Sequence, residues 1–381
     1  MSEESIIFNC ALCVITEAQS PFASTVVLHS LKMTYPTTYR SWRRSTTPYP
    51  RTLVLSNDSL PKTLNAKDVL IRIHAVALNY RDHAMLEEGK YPLPVEDGGV
   101  SSSDCAAEVI AVGSEVKKFS LGDHVAPTSD LWSITGDERI MDDFVLGGLG
   151  PGTLREYAIF EEEVLVKLPG YLSWEEAATL GGAGVTAWKV LDGLHRVPSN
   201  ATALLQGTGG VSVMTVLLCI AAGITPIITS SSDEKLARVL HIDPSVKGIN
   251  YRTSDVKDEV LKHTDGKGVD FILNNIGISS IPLDLDLVRK SGIIAMVGFL
   301  EGFTADFSPN ILMTILLKAC RMQGIRAFSR VDFENLCAFL EAKKIKMEPV
   351  IDKVFSFDEA PEAFKYLASG KHIGKIVVKI P

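Results

Sequence analysis

The pattern of apolar and polar positions changes near residue 200 of this chain. Before that point, the stretches 69–76, 107–112 and 155–160 alternate apolar with polar residues, which is typical of strands with one buried face. Turn signals such as Gly122-Asp123 separate these stretches, and long helical patterns are few. The region 50–165 is therefore predicted to form a compact, barrel-like β domain.

After residue 200, apolar strands alternate with helical segments. The predicted strands cover 202–206, 226–229, 247–250, 269–273 and 293–297, and two of the predicted helices cover 232–240 and 254–263. This alternation predicts an α/β fold with a doubly wound parallel sheet. Two more helices, 333–342 and 358–368, and a closing strand at 375–379 are expected to return to the first domain.

A glycine-rich turn lies between the strand at 202–206 and a predicted helix at 213–222, which Gly223 is expected to end. Its residues are Gly207, Thr208, Gly209, Gly210, Val211 and Ser212. In this context such a turn binds a dinucleotide pyrophosphate at the helix N-terminus. Gly207 would permit the turn, and Gly209 would let the backbone approach a phosphate. Ser212 replaces the usual Gly or Ala, and its hydroxyl is expected to bond to the preceding helical turn. A purely structural turn is the alternative.

Composition and charge exclude several classes of protein. The 381 residues carry a net charge of −8 and no block of Lys or Arg, which argues against a nucleic-acid partner. The longest apolar region, 211–229, is interrupted by Ser, Thr, Gly and Pro, so no membrane span is expected. Four of the six cysteines lie in apolar segments and no basic leader is evident, which favours reduced thiols and a cytoplasmic location. Cys10 and Cys13 form a single pair that lacks the second half of a zinc site.

Six motifs, taken together and in this order, resemble one protein superfamily. They are Asn79-Tyr80-Arg81-Asp82, the segment 104–113, Gly122-Asp123-His124-Val125, Ala183-Gly184-Val185-Thr186-Ala187-Trp188, the turn at 207–212, and His372-Ile373-Gly374-Lys375-Ile376-Val377. From about residue 33 the chain resembles the medium-chain dehydrogenase/reductase superfamily. Within it, the similarity is to zinc-independent quinone oxidoreductase-like proteins and to proteins called zinc-type alcohol dehydrogenase-like.

The resemblance implies a two-domain organisation. A GroES-like catalytic domain is expected at 33–178, completed by 323–381, with a Rossmann domain at 179–322. Residues 1–32 would be an N-terminal extension with no assigned role. A homodimer formed through the Rossmann domain, with a strand at 322–328, is also implied. The long loop at 129–153 is expected to be either a lid or disordered.

The resemblance also bears on zinc. Catalytic zinc in this superfamily needs a Cys, a His and a second Cys, at positions that align here with Asn79, Ser103 and Gly182. None of these residues supplies a thiolate or an imidazole, so three-ligand zinc is not expected. No cysteine lies between Cys105 and Cys219, so the structural zinc lobe is not expected either. The prediction is no zinc at either place.

The end of the second Rossmann strand predicts the cofactor. NAD sites place Asp or Glu there to hold the ribose 2′-hydroxyl, whereas this strand ends in Ser230-Ser231-Ser232, with Lys235 close behind. Hydroxyls and an ammonium favour a 2′-phosphate. The resemblance assigns Ser231, Lys235 and Tyr251 to that phosphate, so NADPH is predicted over NADH. The alternative is that Lys235 is a solvated helix residue.

Further site residues are implied by the resemblance. The nicotinamide side would be contacted by Asn79, Thr186, Asn275, Ile276, Gly298 and Phe299, and the pyrophosphate by Gly207, Thr208, Gly209, Gly210 and Val211. Lys375 is expected either at the pyrophosphate or on the surface. Tyr80 is a candidate proton donor, because a phenol with a pKa of about 10 suits proton donation. Otherwise Tyr80 lines the pocket and water supplies the proton.

A site without zinc suits a substrate that can spread negative charge when hydride adds to carbon. The predicted function is therefore NADPH-dependent reduction of an activated C=C bond, a quinone or a carbonyl in a small molecule. A zinc-free NADP-dependent alcohol dehydrogenase and a non-catalytic NADPH-binding protein are the alternatives.

Overall fold

The computed structural model describes residues 35–139, 144–326 and 328–381. The predicted extension at 1–32, including Cys10 and Cys13, lies outside the described residues. Strands dominate the first part of the chain, as the alternating pattern predicts. Its elements are β1 (Thr38–Arg44), β2 (Leu53–Ser59), β3 (Asp68–Ala77), α1 (Tyr80–Ala84), β4 (Asp104–Val112), β5 (His124–Pro127), β6 (Tyr157–Glu161), β7 (Leu165–Lys167), α2 (Trp174–Ala178) and α3 (Val185–Val190).

Strands and helices alternate in the remainder of the chain, and each strand and helix predicted there is present with bounds that differ by a few residues. The elements are β8 (Thr202–Leu205), α4 (Gly210–Ala222), β9 (Thr225–Ser230), α5 (Asp233–Leu240), β10 (Lys247–Asn250), α6 (Val256–His263), β11 (Val269–Asn274), α7 (Ile281–Leu287), β12 (Val288–Met296), α8 (Met313–Lys318), β13 (Arg321–Gly324), α9 (Arg330–Lys343), β14 (Ile351–Ser356), α10 (Ala360–Ala368) and β15 (Lys375–Lys379).

Capping residues set the ends of the longer helices. Gly223 adopts a left-handed φ of 73° and ends α4, as predicted. The Ser232 hydroxyl accepts a hydrogen bond from Lys235 N at 3.3 Å and starts α5. The Ser329 hydroxyl accepts one from Asp332 N at 3.0 Å, so α9 begins three residues before the predicted position.

The strands β8 to β13 form one parallel sheet in the order β10-β9-β8-β11-β12-β13. This is the doubly wound sheet that the α/β pattern predicts. The strand order reverses between β8 and β11. Because the loops after these two strands leave in opposite directions, a crevice opens at the carboxyl edge of the sheet.

A second, mostly antiparallel sheet joins the two ends of the chain. Its strand order is β14-β15-β3-β4-β5-β7, and β6 also pairs with β3. The register of β15 places Val378 opposite Val76. Since β15 is the last strand, the C-terminal segment completes the sheet that β3 begins.

The two sheets are connected by a shared apolar core and by a backbone contact. One buried cluster includes Ala75 of β3, Leu205 of β8, Phe333 of α9 and Val377 of β15. Gly374 N, just before β15, donates to the Thr208 carbonyl at 2.9 Å. The glycine-rich turn therefore lies directly against the C-terminal segment of the other unit.

Parts of the loop at 129–153 contact the start of α9. The carbonyls of Ser133 and Ile134 accept hydrogen bonds from Arg330 N and Val331 N, at 2.9 and 3.1 Å. Leu146 is buried, whereas Trp132 is exposed. Residues 140–143 of this loop lie outside the described residues.

Candidate functional site

The glycine-rich turn follows β8 and opens α4 without a side-chain cap. Gly207 has a φ of 76°, which is a left-handed conformation that favours glycine. Gly209 is the N-cap residue of α4, and no side chain caps the helix there. Thr208, Gly210 and Val211 complete the turn. The first N–H groups of α4 are thus directed to the crevice at the carboxyl edge of the sheet, where an anion would be stabilised.

Ser212 stabilises this turn in a different way from the one predicted. Its hydroxyl donates to the Gln206 carbonyl at 2.9 Å, so the prediction of a bond to the preceding helical turn is wrong. The same oxygen accepts from Asn275 Nδ2 at 3.1 Å. A serine is accommodated here because its hydroxyl is buried between the ends of β8 and β11 and satisfied by both.

A buried polar network holds the loops after β8 and β11 together. Gln206 Nε2 and Asn274 Nδ2 donate to the two oxygens of Asp284 at 2.8 and 2.7 Å. Gln206 Oε1 accepts from the backbone N–H groups of Asn275 and Ile276 at 3.1 and 3.3 Å. Burial raises the pKa of Asp284 to about 7, while the donors around it oppose that shift.

The residues predicted at the adenosine end lie at the ends of neighbouring strands. Ser230 ends β9 and Asn250 ends β10, and these two residues are paired in the parallel register. Ser231 and Tyr251 therefore leave the sheet side by side, and Tyr251 N donates to the Ser230 carbonyl at 3.1 Å. Asp233 in the first turn of α5 accepts from Asn250 Nδ2 at 2.7 Å, so that carboxylate is already paired.

Lys235 spans the two units rather than extending into solvent. Its ammonium donates to the carbonyls of Gly370 and His372 at 2.6 and 3.2 Å. Burial lowers the pKa of Lys235. An ammonium has three protons, and the two contacts with the C-terminal segment use two of them.

Four of the residues predicted at the nicotinamide end lie in the loops after β11 and β12, namely Asn275, Ile276, Gly298 and Phe299. Leu300 N and Glu301 N donate to the carbonyls of Asn275 and Ile276 at 3.3 and 3.0 Å. A Cβ on Gly298 would lie 2.3 Å from the Asn275 carbonyl oxygen, so the close approach requires glycine. Thr186 is half-buried on α3, which packs against α4, β11 and β12.

The three positions that align with zinc ligands also meet in space. Asn79 Nδ2 lies 3.5 Å from the Ser103 hydroxyl, which donates to Asp104 Oδ1 at 2.8 Å. Gly182 N donates to Asp104 Oδ2 at 2.7 Å. A Cβ on Gly182 would come within 2.5 Å of that carboxylate oxygen, so a longer side chain there needs a rearrangement of Asp104.

Lys375 is buried at this same place, with only 3% of the residue exposed. Its ammonium donates to the Leu78 carbonyl and to Asn79 Oδ1, both at 2.7 Å. The alternative of a surface position for Lys375 is therefore wrong. Across the described residues, no group of three or more His, Cys, Asp and Glu side chains is arranged to hold a metal ion.

Tyr80 lies at the mouth of the cleft and is 41% exposed. Its ring meets Phe299 edge-on with centroids 6.0 Å apart. Phe299 in turn stacks on Phe303 at 5.1 Å. The three rings form an apolar wall beside Asn79, with the Tyr80 hydroxyl as its polar group.

Asp82 is a buried carboxyl beneath this wall. Its Oδ2 accepts from Asn79 N at 2.8 Å, while its Oδ1 has no hydrogen-bond partner. Burial raises the pKa of Asp82 to about 6, and the negative charge of Asp104 adds to this shift. The positive charges of Arg81 and Lys375 and the hydrogen bond from Asn79 N oppose the shift without cancelling it. The native state therefore favours the neutral acid more than the unfolded chain does.

This shift predicts a pH dependence of stability. A folded-state pKa above the unfolded one means that stability is lost as pH rises through the folded pKa. D82N cannot ionise at this position. The difference in free energy of unfolding, D82N minus wild type, should therefore rise by about 2 kcal/mol from pH 4.5 to pH 8. Urea unfolding at several pH values measures the difference. The substitution D265N, at an exposed position, should show the same pH dependence of stability as wild type. A difference in stability between D82N and wild type that does not change with pH would contradict the prediction.

Comparison with known proteins agrees with these features. Residues 65–170 match the model of the alcohol dehydrogenase GroES-like domain, and residues 246–378 match that of the zinc-binding dehydrogenases. The zinc-type alcohol dehydrogenase-like protein C1773.06c of Schizosaccharomyces pombe is 38% identical over 330 residues, covering 84% of this chain and 93% of its own. The chain belongs to the medium-chain dehydrogenase/reductase superfamily.

Other members of the superfamily support the same assignment. The quinone oxidoreductase of Pseudomonas aeruginosa is 28% identical over 332 residues, covering 84% of this chain and 94% of its own. The crystal structure of the Pseudomonas syringae pv. tomato DC3000 quinone oxidoreductase covers 90% of this chain and 99% of its own, with a TM-score of 0.70 and 25% identity. As a medium-chain dehydrogenase/reductase, the chain is an oxidoreductase with a nicotinamide cofactor, NAD or NADP.

Sequence reasoning missed several residues of this dehydrogenase/reductase site. Gln206 at the end of β8 donates to Asp284 on α7, and Asp104 lies between Lys375 and Gly182. One signal was present, because Gln206 and Asn274 are polar residues at the ends of mostly apolar central strands. The described helices include none with the length and apolarity that a membrane crossing requires.

Proposed function

We propose that this protein is an NADPH-dependent, zinc-independent reductase of an activated C=C bond, a quinone or a carbonyl in a small molecule. The observation that carries the proposal is the cluster at the positions aligned with the zinc ligands. There an amide, a hydroxyl and a glycine replace the Cys, His and Cys that zinc needs, and the Lys375 ammonium lies against Asn79.

The donor set does not fit zinc. Asn79 Oδ1 already accepts from Lys375, and the Ser103 hydroxyl donates to Asp104. A thiolate side chain at Gly182 would collide with Asp104. A positive charge already present at this place repels a divalent cation, so no step of the proposed reaction is routed through a metal.

The charge at the end of β9 favours a cofactor that carries a 2′-phosphate. Ser231 and Lys235 offer a hydroxyl and an ammonium, and Asp233 in the first turn of α5 is bonded to Asn250. A 2′-phosphate gains a charge-assisted hydrogen bond from Lys235. NADPH is therefore proposed over NADH.

Replacement of Lys235 by alanine should weaken NADPH binding by about 1–2 kcal/mol, as expected for one charge-assisted contact. NADH binding should be nearly unchanged, because NADH lacks the 2′-phosphate. Titration of both cofactors measures the two effects. The titration with NADH is also the control for the bonds from Lys235 to Gly370 and His372. If the variant acted only through the loss of those bonds, the binding of NADPH and NADH would weaken equally, and that result would contradict the proposed role.

The chain's own contribution to the chemistry would be positioning, exclusion of water and proton supply. When bound, the nicotinamide cofactor supplies the hydride. The rings of Tyr80, Phe299 and Phe303 would pack against an apolar substrate. After hydride adds to carbon, the charge resides on oxygen, and the exposed Tyr80 hydroxyl is the proposed proton donor.

An activity panel tests the proposal. Oxidation of NADPH is followed with enals, quinones and ketones, and zinc is measured in the purified protein. Turnover of an enal or quinone without stoichiometric zinc supports the reductase. Turnover of simple ketones alone would indicate a zinc-free alcohol dehydrogenase. Binding of NADPH without any turnover would indicate a non-catalytic binding protein. One zinc per chain would refute the zinc-independent reading.

A homodimer and a cytoplasmic location are part of the proposal. The edge strand β13 is preceded by α8, on which Leu316 and Leu317 are 70% and 78% exposed, and a second copy would cover this apolar surface. The four described cysteines are free and buried, which suits a reducing compartment. Light scattering of wild type and L316E/L317E, with V354E as a surface control elsewhere, tests the dimer.

A further inference from the structure

Lys375 connects the glycine-rich turn to the buried end of the β-rich unit. Its aliphatic chain passes the start of α4, where a Cβ on Gly210 would lie 2.4 Å from Lys375 Cδ. Its ammonium donates to the Leu78 carbonyl and to Asn79 Oδ1, both at 2.7 Å. Asp104 Oδ2 lies 3.6 Å away. These partners hold the buried ammonium in one place.

The ammonium determines which way the Asn79 amide faces. An ammonium donates hydrogen bonds and accepts none, whereas an amide has one oxygen and one NH₂ group. The Asn79 atom that lies 2.7 Å from Lys375 Nζ must therefore be the oxygen. A flipped amide would set two donors against each other in a buried site, which is unfavourable.

Three further contacts close a ring that agrees with this orientation. Asn79 Nδ2 faces the Ser103 hydroxyl at 3.5 Å, and that hydroxyl donates to Asp104 Oδ1 at 2.8 Å. The ion pair between Asp104 and Lys375 completes the ring at 3.6 Å. The Asn79 NH₂ group carries two protons, and the contact with Ser103 uses only one of them.

We propose that Lys375 is a positioning residue that holds the Asn79 amide with its NH₂ group toward the cleft. There Asn79 donates a hydrogen bond to a hydroxyl of the nicotinamide ribose. The inference rests on the proposed function, because that ribose belongs to the proposed cofactor. Lys375 acts through Asn79 and does not touch the reacting atoms.

A double-mutant cycle separates this role from a direct contact between Lys375 and the pyrophosphate. NADPH dissociation constants are measured by fluorescence titration for wild type, K375M, N79A and K375M/N79A. Each single variant should bind roughly 5- to 20-fold more weakly, and the double variant no more weakly than N79A. Effects that multiply in the double variant would overturn the proposal, because Lys375 would then act without Asn79.

A cofactor fragment provides a second readout. Adenosine 2′,5′-bisphosphate carries the 2′-phosphate and one 5′-phosphate but lacks the nicotinamide ribose. It should bind wild type and K375M equally well. A loss as large as that for NADPH would overturn the positioning role. If wild type binds neither NADPH nor the fragment, the proposed function itself fails, and this inference fails with it.

The cycle needs a control for folding. K375M leaves the Asp104 carboxylate, which is almost fully buried, without its cation, and an unpaired buried charge is destabilising. Thermal unfolding of each variant detects this effect. If K375M unfolds, K375M/D104N is compared with K375M/D104N/N79A, because neither variant keeps an unpaired charge from the Lys375–Asp104 ion pair. Loss of Asn79 should then cost no further NADPH affinity, and a further loss would overturn the proposal.

Discussion

Replacement of Gly209 by alanine is expected to weaken cofactor binding by roughly 5- to 150-fold without destabilising the fold, since overpacking a close contact costs about 1–3 kcal/mol. The backbone at Gly209 has a φ of −77° and a ψ of −180°, which alanine adopts readily. A Cβ there would meet no atom within 4 Å. That space is the place proposed for the pyrophosphate, so the added methyl group meets only the ligand.

The two neighbouring glycines provide contrasting controls. Gly207 has a φ of 76°, so G207A should lower the free energy of unfolding by about 1–2 kcal/mol even without ligand. A Cβ on Gly210 would lie 2.4 Å from Lys375 Cδ, so G210A would disturb that side chain. G209A should remain within about 1 kcal/mol of wild type.

Cofactor titration and urea unfolding of the three variants measure both quantities. We expect G209A to be the variant of the three that loses cofactor affinity while its free energy of unfolding stays close to that of wild type. Binding of NADPH to G209A with wild-type affinity would contradict the assignment of the turn, because it would mean that no phosphate approaches this backbone.

The strands of the parallel sheet could be predicted because their signals are local. The strand at 269–273 is apolar except for Asp270, and Gly223 and Ser232 are residue types that commonly end and start helices. The register of β9 and β10 then follows from the sheet itself. The sequence alone therefore predicts that residues following these strands, such as Ser231 and Asn275, lie at the same edge of the sheet.

The partners of the lysines could not be predicted in this way. Lys375 and Lys379 bound the same short strand, yet one is buried and the other exposed. Lys235 bonds to carbonyls that lie 135 and 137 residues further along the chain. Such contacts depend on how the two units meet, and no local periodicity reports that arrangement.

Asp284 and Asp286 illustrate the same limit on one helix. The two aspartates are separated by Leu285 on α7 and have equal sequence signals for a solvated helix face. Asp284 is fully buried and bonds to Gln206, whereas Asp286 is exposed and pairs with Lys257 at 2.7 Å. Only the packing of α7 against the sheet distinguishes the two carboxyl groups.

The substitution D284N is expected to lower the free energy of unfolding by about 2–4 kcal/mol, because it leaves two buried amide donors facing each other. An asparagine NH₂ group must face either Gln206 Nε2 or Asn274 Nδ2. Neither partner can turn its amide around. Gln206 Oε1 accepts hydrogen bonds from the backbone N–H groups of residues 275 and 276, and Asn274 Oδ1 accepts one from Gly277 N at 2.8 Å. A turned amide would lose these bonds.

A protonated carboxyl does not have this conflict. Its single proton can be donated to the Ser280 hydroxyl, 3.0 Å from Asp284 Oδ2, while Ser280 donates to the Gly277 carbonyl at 3.3 Å. The pKa of Asp284, which burial raises to about 7, means that wild type loses stability as pH rises toward 7. The deficit of D284N should therefore be largest at about pH 4 and should narrow as the pH rises to about 7.

Urea unfolding of D284N beside D286N provides a matched comparison on one helix. D286N removes an exposed ion pair with Lys257 and should cost less than about 1 kcal/mol. A D284N deficit no larger than that of D286N would show that the network around Gln206 can rearrange. In that case the loops after β8 and β11 would not be locked together by Asp284, and the preorganisation of the proposed cofactor site would have to come from the backbone alone.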